Sequence, residues 1–186
     1  MRIAICDHSG HAFPLQLSRE LARRQHAVLH LHFAEFQSPK GALALRNGDP
    51  ATLEIAPVSL GRTFAKYSLI ARPFQEIQVG HRIWQRIKRF EPDVVLGCNL
   101  PLHALWQVLR GCRRSSRPFV FWQQDIYSIA ITRILTKKLG PIGRLLGAYY
   151  RRVEGRAVRA SAAVVVIADD FLNAIRDDFG IACDNV

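Results

Sequence analysis

Two polar residues that could do chemistry follow an apolar segment near the middle of the chain. Gln124 and Asp125 follow Phe119–Trp122, which we predict to be a strand, with only Gln123 between. An aspartate placed there could act as a general base toward a hydroxyl group, and a glutamine could hydrogen-bond such a hydroxyl. Asp125 fits a second interpretation equally well, as the cap of a helix that starts near Ile126.

A second polar loop, Asp7–Phe13, follows the first predicted strand. Its Gly10 would let backbone N–H groups approach a phosphate at a helix N-terminus, or it could be an ordinary turn glycine. We take Ser9, Gly10 and His11 as candidates for contact with a phosphorylated ligand. A metal ligated by His8 and His11 would need a third ligand, which is not nearby, and the sequence has no Asp-x-Asp triplet. We therefore expect no metal and no bound cofactor.

A run of basic residues from Arg133 to Arg159 is the most distinctive charge feature. It holds eight bases against Glu154 alone, with Ile, Leu and Tyr residues interleaved. This pattern suits a helix that lies on an anionic membrane, and it equally suits a packed helix with a solvated basic face. The candidate membrane-facing residues are Lys137, Lys138, Arg144, Arg151 and Arg152. The arginines from Arg110 to Arg117 could bind phosphates or simply be exposed.

Short apolar runs alternate with longer amphipathic segments along the whole chain. The predicted strands are Ile3–Cys6, Val28–Phe33, Leu53–Val58, Val94–Gly97, Phe119–Trp122 and Ala163–Ala168. Several are apolar throughout, which is typical of parallel strands covered on both faces. The predicted helices are Pro14–Arg24, Tyr67–Phe90, Leu102–Leu109, Ile142–Arg159 and a last one capped by Asp169 or Asp170 that ends before Gly180.

This βαβ rhythm predicts an α/β fold, a Rossmann-like doubly wound parallel sheet with helices on both faces. In such sheets the loops that follow the strands share one edge, where ligands bind. The loops Asp7–Phe13, Cys98–Pro101 and Gln123–Ser128 should therefore meet there. Asn99 in the second loop and His103 just beyond it are candidates for a binding cleft.

Composition limits the classes of function. The chain has 186 residues and a net charge of +11, which favours a polyanionic partner: nucleic acid, an anionic membrane or a phosphorylated substrate. The cysteines form no CxxC pair and are expected to be buried and reduced. The apolar run at the N-terminus is too short for the core of a signal peptide. No apolar run in the sequence is long enough to span a membrane. We expect a cytoplasmic protein, soluble or peripheral at the inner face of the membrane.

Several segments, taken in order, resemble the N-terminal domain of GT-B glycosyltransferases of the family-4 type. Met1–Asp7 and the loop after it, followed by Leu17–Val28, are similar to that family's first strand, loop and helix, with Gln25 where a glycine is usual. Glu91–Val95 resembles its "PDVV" fourth strand. Arg117–Asp125 resembles its fifth strand and the polar pair that follows, and Glu154–Ala168 its "E..A...A" helix and sixth strand. The Trp122–Asp125 segment is most similar to enzymes that build cell-surface polysaccharides on lipid carriers.

The resemblance implies transfer of a sugar, of the hexosyltransferase type, from a nucleotide-sugar donor to a saccharide or polyprenyl-phosphate-linked acceptor. It implies that residues 1–186 are a single acceptor-side domain. The partner C-terminal domain, which would hold most of the donor, is absent, so this chain alone is expected to be inactive. The segment after Gly180 looks like the start of another strand, which suggests a partial chain. In this family Gln124 and Asp125 would face the reaction centre, and Ser9, Gly10 and His11 the donor phosphates.

Two other classes of function remain open on the sequence alone. One is a stand-alone nucleotide-binding Rossmann domain, although no glycine-rich fingerprint is present. The other is a basic nucleic-acid-binding module, although Phe119, Trp122 and Tyr127 lie in or beside a predicted buried strand rather than on a stacking surface.

Overall fold

The structure, a computed structural model, describes residues 1–36, 38 and 40–180. Strands and helices alternate along this part of the chain in the order β1 (Arg2–Asp7), α1 (Ala12–Arg23), β2 (Ala27–Phe33), β3 (Leu53–Val58), α2 (Ala71–Phe90), β4 (Val94–Cys98), α3 (Leu102–Arg114), β5 (Phe119–Gln123), α4 (Tyr127–Ala160), β6 (Ala163–Val166) and α5 (Asp169–Phe179). The predicted segment after Gly180, including Cys183, lies outside the described residues.

The strands form a six-stranded sheet in the order β3-β2-β1-β4-β5-β6. Strand β1 pairs in parallel with β2 and β4, and the pairs β2–β3 and β5–β6 are also parallel. The Rossmann-like fold class predicted from the sequence is therefore confirmed. The chain divides into two compact units, residues 1–119 and residues 120–186.

In the first unit the sheet is buried under helices, as the apolar strands predicted. The inner residues of α2 are Val79, Ile83 and Ile87. A Cβ atom added to Gly80 would lie 2.7 Å from the backbone of Ala104, so α2 and α3 touch where glycine removes the side chain. Helix α1 packs on β2, where the Oγ of Ser18 and the Nδ1 of His30 are 2.8 Å apart and both buried. The three cysteines of this unit, Cys6, Cys98 and Cys112, are buried and free, as expected.

Helix α1 ends in a Schellman motif with Gln25 at its left-handed position. The Gln25 N–H donates to Ala22 O at 2.9 Å and the His26 N–H to Leu21 O at 3.2 Å. This motif needs a left-handed residue after the cap, and Gln25 has a φ of 65°. A side chain at that φ costs about 1 kcal/mol compared with glycine.

We expect Gln25→Gly to raise the free energy of unfolding by about 0.5–1 kcal/mol, since the relief of strain exceeds the extra chain entropy of glycine. Urea denaturation followed by circular dichroism would measure the change. The control is Arg24→Gly, at a φ of −80°, where glycine relieves no strain and should destabilise. A loss of stability in Gln25→Gly would contradict the assignment of strain.

Helix α2 buries only some of its apolar residues. It begins at Ala71, so Pro73 lies in the first turn and causes no kink. Ile70, Phe74 and Ile77 are exposed to solvent, although their spacing along the helix is close to that of a single apolar face with Ile87. The inward side of the helix is set by the positions that meet α3 and the sheet. The helix therefore has an apolar inner face and a second, exposed apolar region.

In the second unit, α4 is longer than predicted and is broken. It spans Tyr127–Ala160, and Gly140 interrupts it with a non-helical φ of 56° and ψ of −126°. Pro141 follows and lacks an N–H for the helical hydrogen bond. The prediction of one helix from Ile142 missed the segment before Gly140, and the basic run therefore lies on two helical segments.

The last strand and helix also correct two predictions. Strand β6 ends at Val166, and Val165 and Ile167 are exposed, so this apolar run is not covered on both faces. Helix α5 begins at Asp169 with Ala168 as its N-cap, so neither Asp169 nor Asp170 caps it. Both aspartates lie in the first turn, where the helix dipole favours negative charge. Gly180 ends α5 with a left-handed φ of 60°, as predicted.

Candidate functional site

The carboxyl ends of β1 and β4 bring together two of the predicted polar loops. Asn99 donates from Nδ2 to the Oγ of Ser9 at 2.7 Å, and both residues are buried. Asn99 has a left-handed φ of 50°, a strained conformation that asparagine tolerates and that clusters at functional sites. The sequence placed Ser9 and Asn99 in separate segments 90 positions apart, and the parallel pairing of β1 with β4 makes them neighbours.

The loop after β1 is organised around the carboxylate of Asp7. The backbone N–H groups of Ser9, Gly10 and His11 donate to it, the first at 3.0 Å to Oδ1. Burial raises the pKa of Asp7 from 3.8 to about 6, although these hydrogen bonds and the nearby His11 lower it. A phosphate bound at this loop would compete with Asp7 for the same N–H groups.

Gly10 itself is fixed by its own conformation and by a neighbouring loop. Its φ is 72°, and a Cβ atom there would lie 2.9 Å from the Cδ1 of Leu43. Its carbonyl accepts the N–H of Gly41 at 2.8 Å. The glycine is thus required by the turn and by close packing, which is the structural interpretation that the sequence left open. The role of Ser9, Gly10 and His11 as phosphate contacts stays a prediction.

A buried carboxylate, Glu76 of α2, holds His103 at the start of α3. Oε2 of Glu76 lies 2.9 Å from the Nδ1 of His103, and Oε1 accepts the Nε of Arg72 at 2.6 Å. These partners lower the pKa of Glu76 although its burial raises it. A carboxylate at Nδ1 fixes the tautomer and the orientation of a histidine ring. The sequence suggested His103 for the cleft but did not identify Glu76. The one sign in the sequence that Glu76 has a special role is that it is the single acid between residues 55 and 90.

His8 lies beneath this edge in an aromatic environment. Its ring centroid is 4.9 Å from that of Phe33, 4.6 Å from Phe36 and 5.7 Å from Phe64. Burial lowers the pKa of His8 to about 3, so the ring is neutral at physiological pH. Neither ring nitrogen has a hydrogen-bond partner among the described residues. His8 therefore packs as an apolar ring in the core.

In the second unit, Gln124 and Asp125 occupy the loop between β5 and α4. Gln124 is buried, and its Nε2 has no hydrogen-bond partner in the described part of the chain. Asp125 is exposed. Asp125 does not cap α4, because the N-cap is Ile126 and no side chain of the cap residue bonds to the helix. Their catalytic role stays a prediction.

Glu154 supplies the capping interaction instead. Its carboxylate is fully buried and accepts the N–H of Tyr127 at 3.1 Å, the N–H of Ser128 at 2.9 Å and the Nε2 of Gln123 at 3.2 Å. Burial raises the pKa of Glu154, and these hydrogen bonds lower it. The sequence gave one sign of this role, since Glu154 is the only acid in the basic run. It stabilises the start of α4 beside Gln124 and Asp125.

The basic run exposes apolar as well as charged side chains. Lys137, Lys138, Arg144, Arg151 and Arg152 are all exposed. Ile142, Leu145, Leu146 and Tyr149 form an exposed apolar stripe on the second segment of α4. Among the described residues, no helix is both long enough and apolar enough to cross a membrane. The pattern has the composition of an interfacial helix, and membrane contact stays a prediction.

The arginine cluster at the end of α3 lies at the opposite edge of the sheet. Helix α3 begins after the carboxyl end of β4 and runs antiparallel to the strands, so Arg110–Arg114 approach their amino edge. Arg117 donates to the carbonyl of Pro92, just before β4, at 3.1 Å. Arg110, Arg113 and Arg114 are exposed, and phosphate binding by this cluster stays a prediction.

Comparisons with known proteins agree with this geometry. The family model for Glycosyltransferase Family 4 matches residues 13–186. A ugt transferase from Siraitia grosvenorii in complex with UDP aligns with a TM-score of 0.55 and 11% identity, covering 97% of this chain and 48% of that one. Anabaena Alr3699/HepE in complex with UDP aligns with a TM-score of 0.52 and 18% identity, covering 100% and 42%. No curated protein sequence matches the chain. The two structures share its fold, and the chain spans less than half the length of each.

Proposed function

This chain belongs to glycosyltransferase family 4, and from that premise we propose that it is the acceptor-binding N-terminal domain of a GT-B enzyme. The enzyme moves a sugar of the hexose type from a nucleotide-sugar donor to a saccharide or lipid-linked acceptor in cell-surface polysaccharide synthesis. A second Rossmann domain, in the same protein or in a partner subunit, supplies most of the donor contacts.

The observation that supports this role is the set of polar side chains at the carboxyl edge of β1 and β4. Ser9, Asn99 and His103 present a hydroxyl, an amide and an imidazole, each held by a partner: Asn99 by Ser9, and His103 by Glu76. Hydrogen-bonding groups of this kind recognise sugar hydroxyls, which donate and accept at the same oxygen. Positioning by buried partners keeps the groups in place before a ligand binds.

The remaining candidate residues receive roles within the same proposal. His103 and Asn99 bind acceptor hydroxyls, and Ser9, Gly10 and His11 lie at the donor phosphates. Gln124 hydrogen-bonds the reacting sugar, which agrees with its buried, unpartnered Nε2. Asp125 serves as a general base toward the acceptor hydroxyl. We invoke no metal in this proposal, because the sequence has no Asp-x-Asp triplet.

Ligand-detected NMR on the 186-residue chain tests the acceptor role. The probes are a short-chain prenyl diphosphate disaccharide, UDP-glucose and a single-stranded oligonucleotide. We expect the prenyl-linked saccharide to bind and His103→Ala to weaken it about five- to tenfold, because one positioned hydrogen bond is lost. His26→Ala, at the turn before β2, is the matched control and should bind as the wild type does.

The other two probes decide between the competing functions. Tight binding of UDP-glucose to the chain alone, with none of the prenyl-linked saccharide, would favour a stand-alone nucleotide-binding domain. Salt-dependent binding of the oligonucleotide would favour a nucleic-acid module. Equal saccharide binding by the wild type and His103→Ala would contradict the placement of the acceptor.

We also propose that the protein is peripheral at the inner, anionic face of the membrane. The exposed bases of α4, Lys137, Lys138, Arg144, Arg151 and Arg152, would contribute about 1 kcal/mol each near an anionic surface. Such a location suits an acceptor whose carrier is a membrane lipid.

A further inference from the structure

The first unit has an exposed apolar surface that the packing of the fold does not use. Five large side chains in and just before the first turns of α2 are open to solvent; we call them the apolar lip, and they are Tyr67, Leu69, Ile70, Phe74 and Ile77. Tyr67 is 87% exposed, Ile70 76% and Phe74 63%. Soluble proteins seldom leave so many large apolar residues together at the surface, and such patches mark interaction sites.

The same helix buries a different set of residues, so the apolar lip is not a displaced piece of core. Gln75, Glu76, Val79 and Gly80 face inward between and after the lip positions. Gln75 is held on both sides, since its Oε1 accepts the N–H of Ala65 at 2.7 Å and its Nε2 donates to Thr63 O at 3.1 Å. These bonds fix the turn before α2 with the lip side chains outward.

In the stretch of sequence around the apolar lip, the exposed charged residues are of one sign. Between residues 55 and 90 the only acid is Glu76, which is buried and paired with Arg72 and His103. Arg62, Lys66 and Arg82 in the same stretch are exposed. The Nζ of Lys66 lies 5.8 Å from the ring centroid of Tyr67, which places a cation directly beside the lip.

A basic groove adjoins the apolar lip. Its volume is about 550 Å³, and the residues that line it are Leu60, Arg62, Ile77, Gln78, His81, Arg82 and Gln107. It shares Ile77 with the lip, contains two arginines and contains no acid. An apolar edge beside a basic recess matches the two layers of an anionic bilayer, acyl chains and phosphate headgroups.

We propose that the apolar lip inserts into an anionic bilayer, with headgroup phosphates in the groove between Arg62 and Arg82. This inference rests on the membrane association proposed above and assigns its inserting surface to α2 rather than to α4. The lip belongs to the same helix as Glu76, which holds His103. Insertion would therefore bring a lipid-linked acceptor to the candidate site from the bilayer side.

Vesicle flotation of the 186-residue chain tests the assignment. The vesicles are phosphatidylcholine with and without phosphatidylglycerol, and the variants are Ile70→Ser/Phe74→Ser and the matched control Ile142→Ser/Leu145→Ser on α4. All four side chains are exposed, so folding is not at risk. We expect the lip variant to bind phosphatidylglycerol vesicles at least about tenfold more weakly than the wild type, and the α4 variant to change binding by less than about threefold.

A second measurement reports insertion directly. Tyr67→Trp should be quenched by brominated acyl chains, after subtraction of the wild-type signal, when phosphatidylglycerol is present. Wild-type binding that the lip variant leaves unchanged would overturn the inference while sparing membrane association through α4. No binding of the wild type would overturn both, with sugar binding still open to the NMR test. A dimer lost only in the lip variant would identify a second copy of the chain as the occupant.

Discussion

Glu154→Ala is expected to lower the free energy of unfolding by about 3–5 kcal/mol, more than any other single change we propose. The carboxylate accepts two N–H groups of the first turn of α4 and the side-chain amide of Gln123. Alanine leaves three donors with no acceptor in a site that solvent does not reach. Urea denaturation monitored by circular dichroism would measure the loss.

Two further variants separate the hydrogen bonds of Glu154 from its charge. Glu154→Gln keeps one acceptor oxygen and removes the buried negative charge, whose burial raises the pKa of Glu154. We therefore expect it to lower the free energy of unfolding by about 1–2 kcal/mol, well under the loss in Glu154→Ala. Glu20→Ala removes a surface acid that pairs with Arg23 and Arg24, and it should cost less than about 1 kcal/mol. Similar losses in Glu154→Ala and Glu20→Ala would show that the buried cap is unimportant.

Asp7→Asn is expected to become more stable relative to the wild type as pH rises from about 4 to about 6. Because the pKa of Asp7 is raised, the folded chain binds its proton more tightly than the unfolded chain does, and wild-type stability falls across this window. The rise in the pKa of Asp7 from 3.8 to about 6 corresponds to a loss of about 3 kcal/mol in the free energy of unfolding. Asparagine carries no ionisable group, so the variant does not undergo this loss. Unfolding free energies of both proteins at a series of pH values measure the difference.

The companion variant Asp7→Ala tests the role of Asp7 as an acceptor. It removes the oxygen to which the N–H groups of Ser9, Gly10 and His11 donate, and we expect it to be less stable than Asp7→Asn at every pH. We expect the unfolding free energy of Asp7→Asn to rise relative to that of the wild type as pH rises. A difference that stays constant or shrinks would contradict a raised pKa for the buried Asp7 carboxyl.

The sequence predicted the fold well because its strong signals are local. Short runs rich in apolar residues, such as those of β1 and β2, are buried on both faces of a parallel sheet and can be recognised without long-range information. Gly180 predicted the end of α5 for the same reason, since a left-handed residue there favours glycine. The loops that follow β1 and β4 could also be assigned to one edge, because parallel strands end on the same side.

Partners distant in sequence could not be predicted. Three contacts join residues that are at least 26 positions apart: Ser9 with Asn99, Glu76 with His103, and Glu154 with the start of α4. A single sequence does not show which distant residues are in contact. The unusual position of one acid in a basic stretch was the only trace of Glu76 and of Glu154.

What the sequence determined by itself is the alternation of strands and helices and the edge that holds the polar loops, because spacing and turn chemistry act over a few residues. Only the tertiary structure decided which apolar residues are core. Ile70, Phe74 and Ile83 are all large hydrophobic residues of the same helical region. Ile83 is buried, whereas Ile70 and Phe74 are exposed in the described part of the chain. Burial depends on what packs against a helix, and that information lies outside the helix.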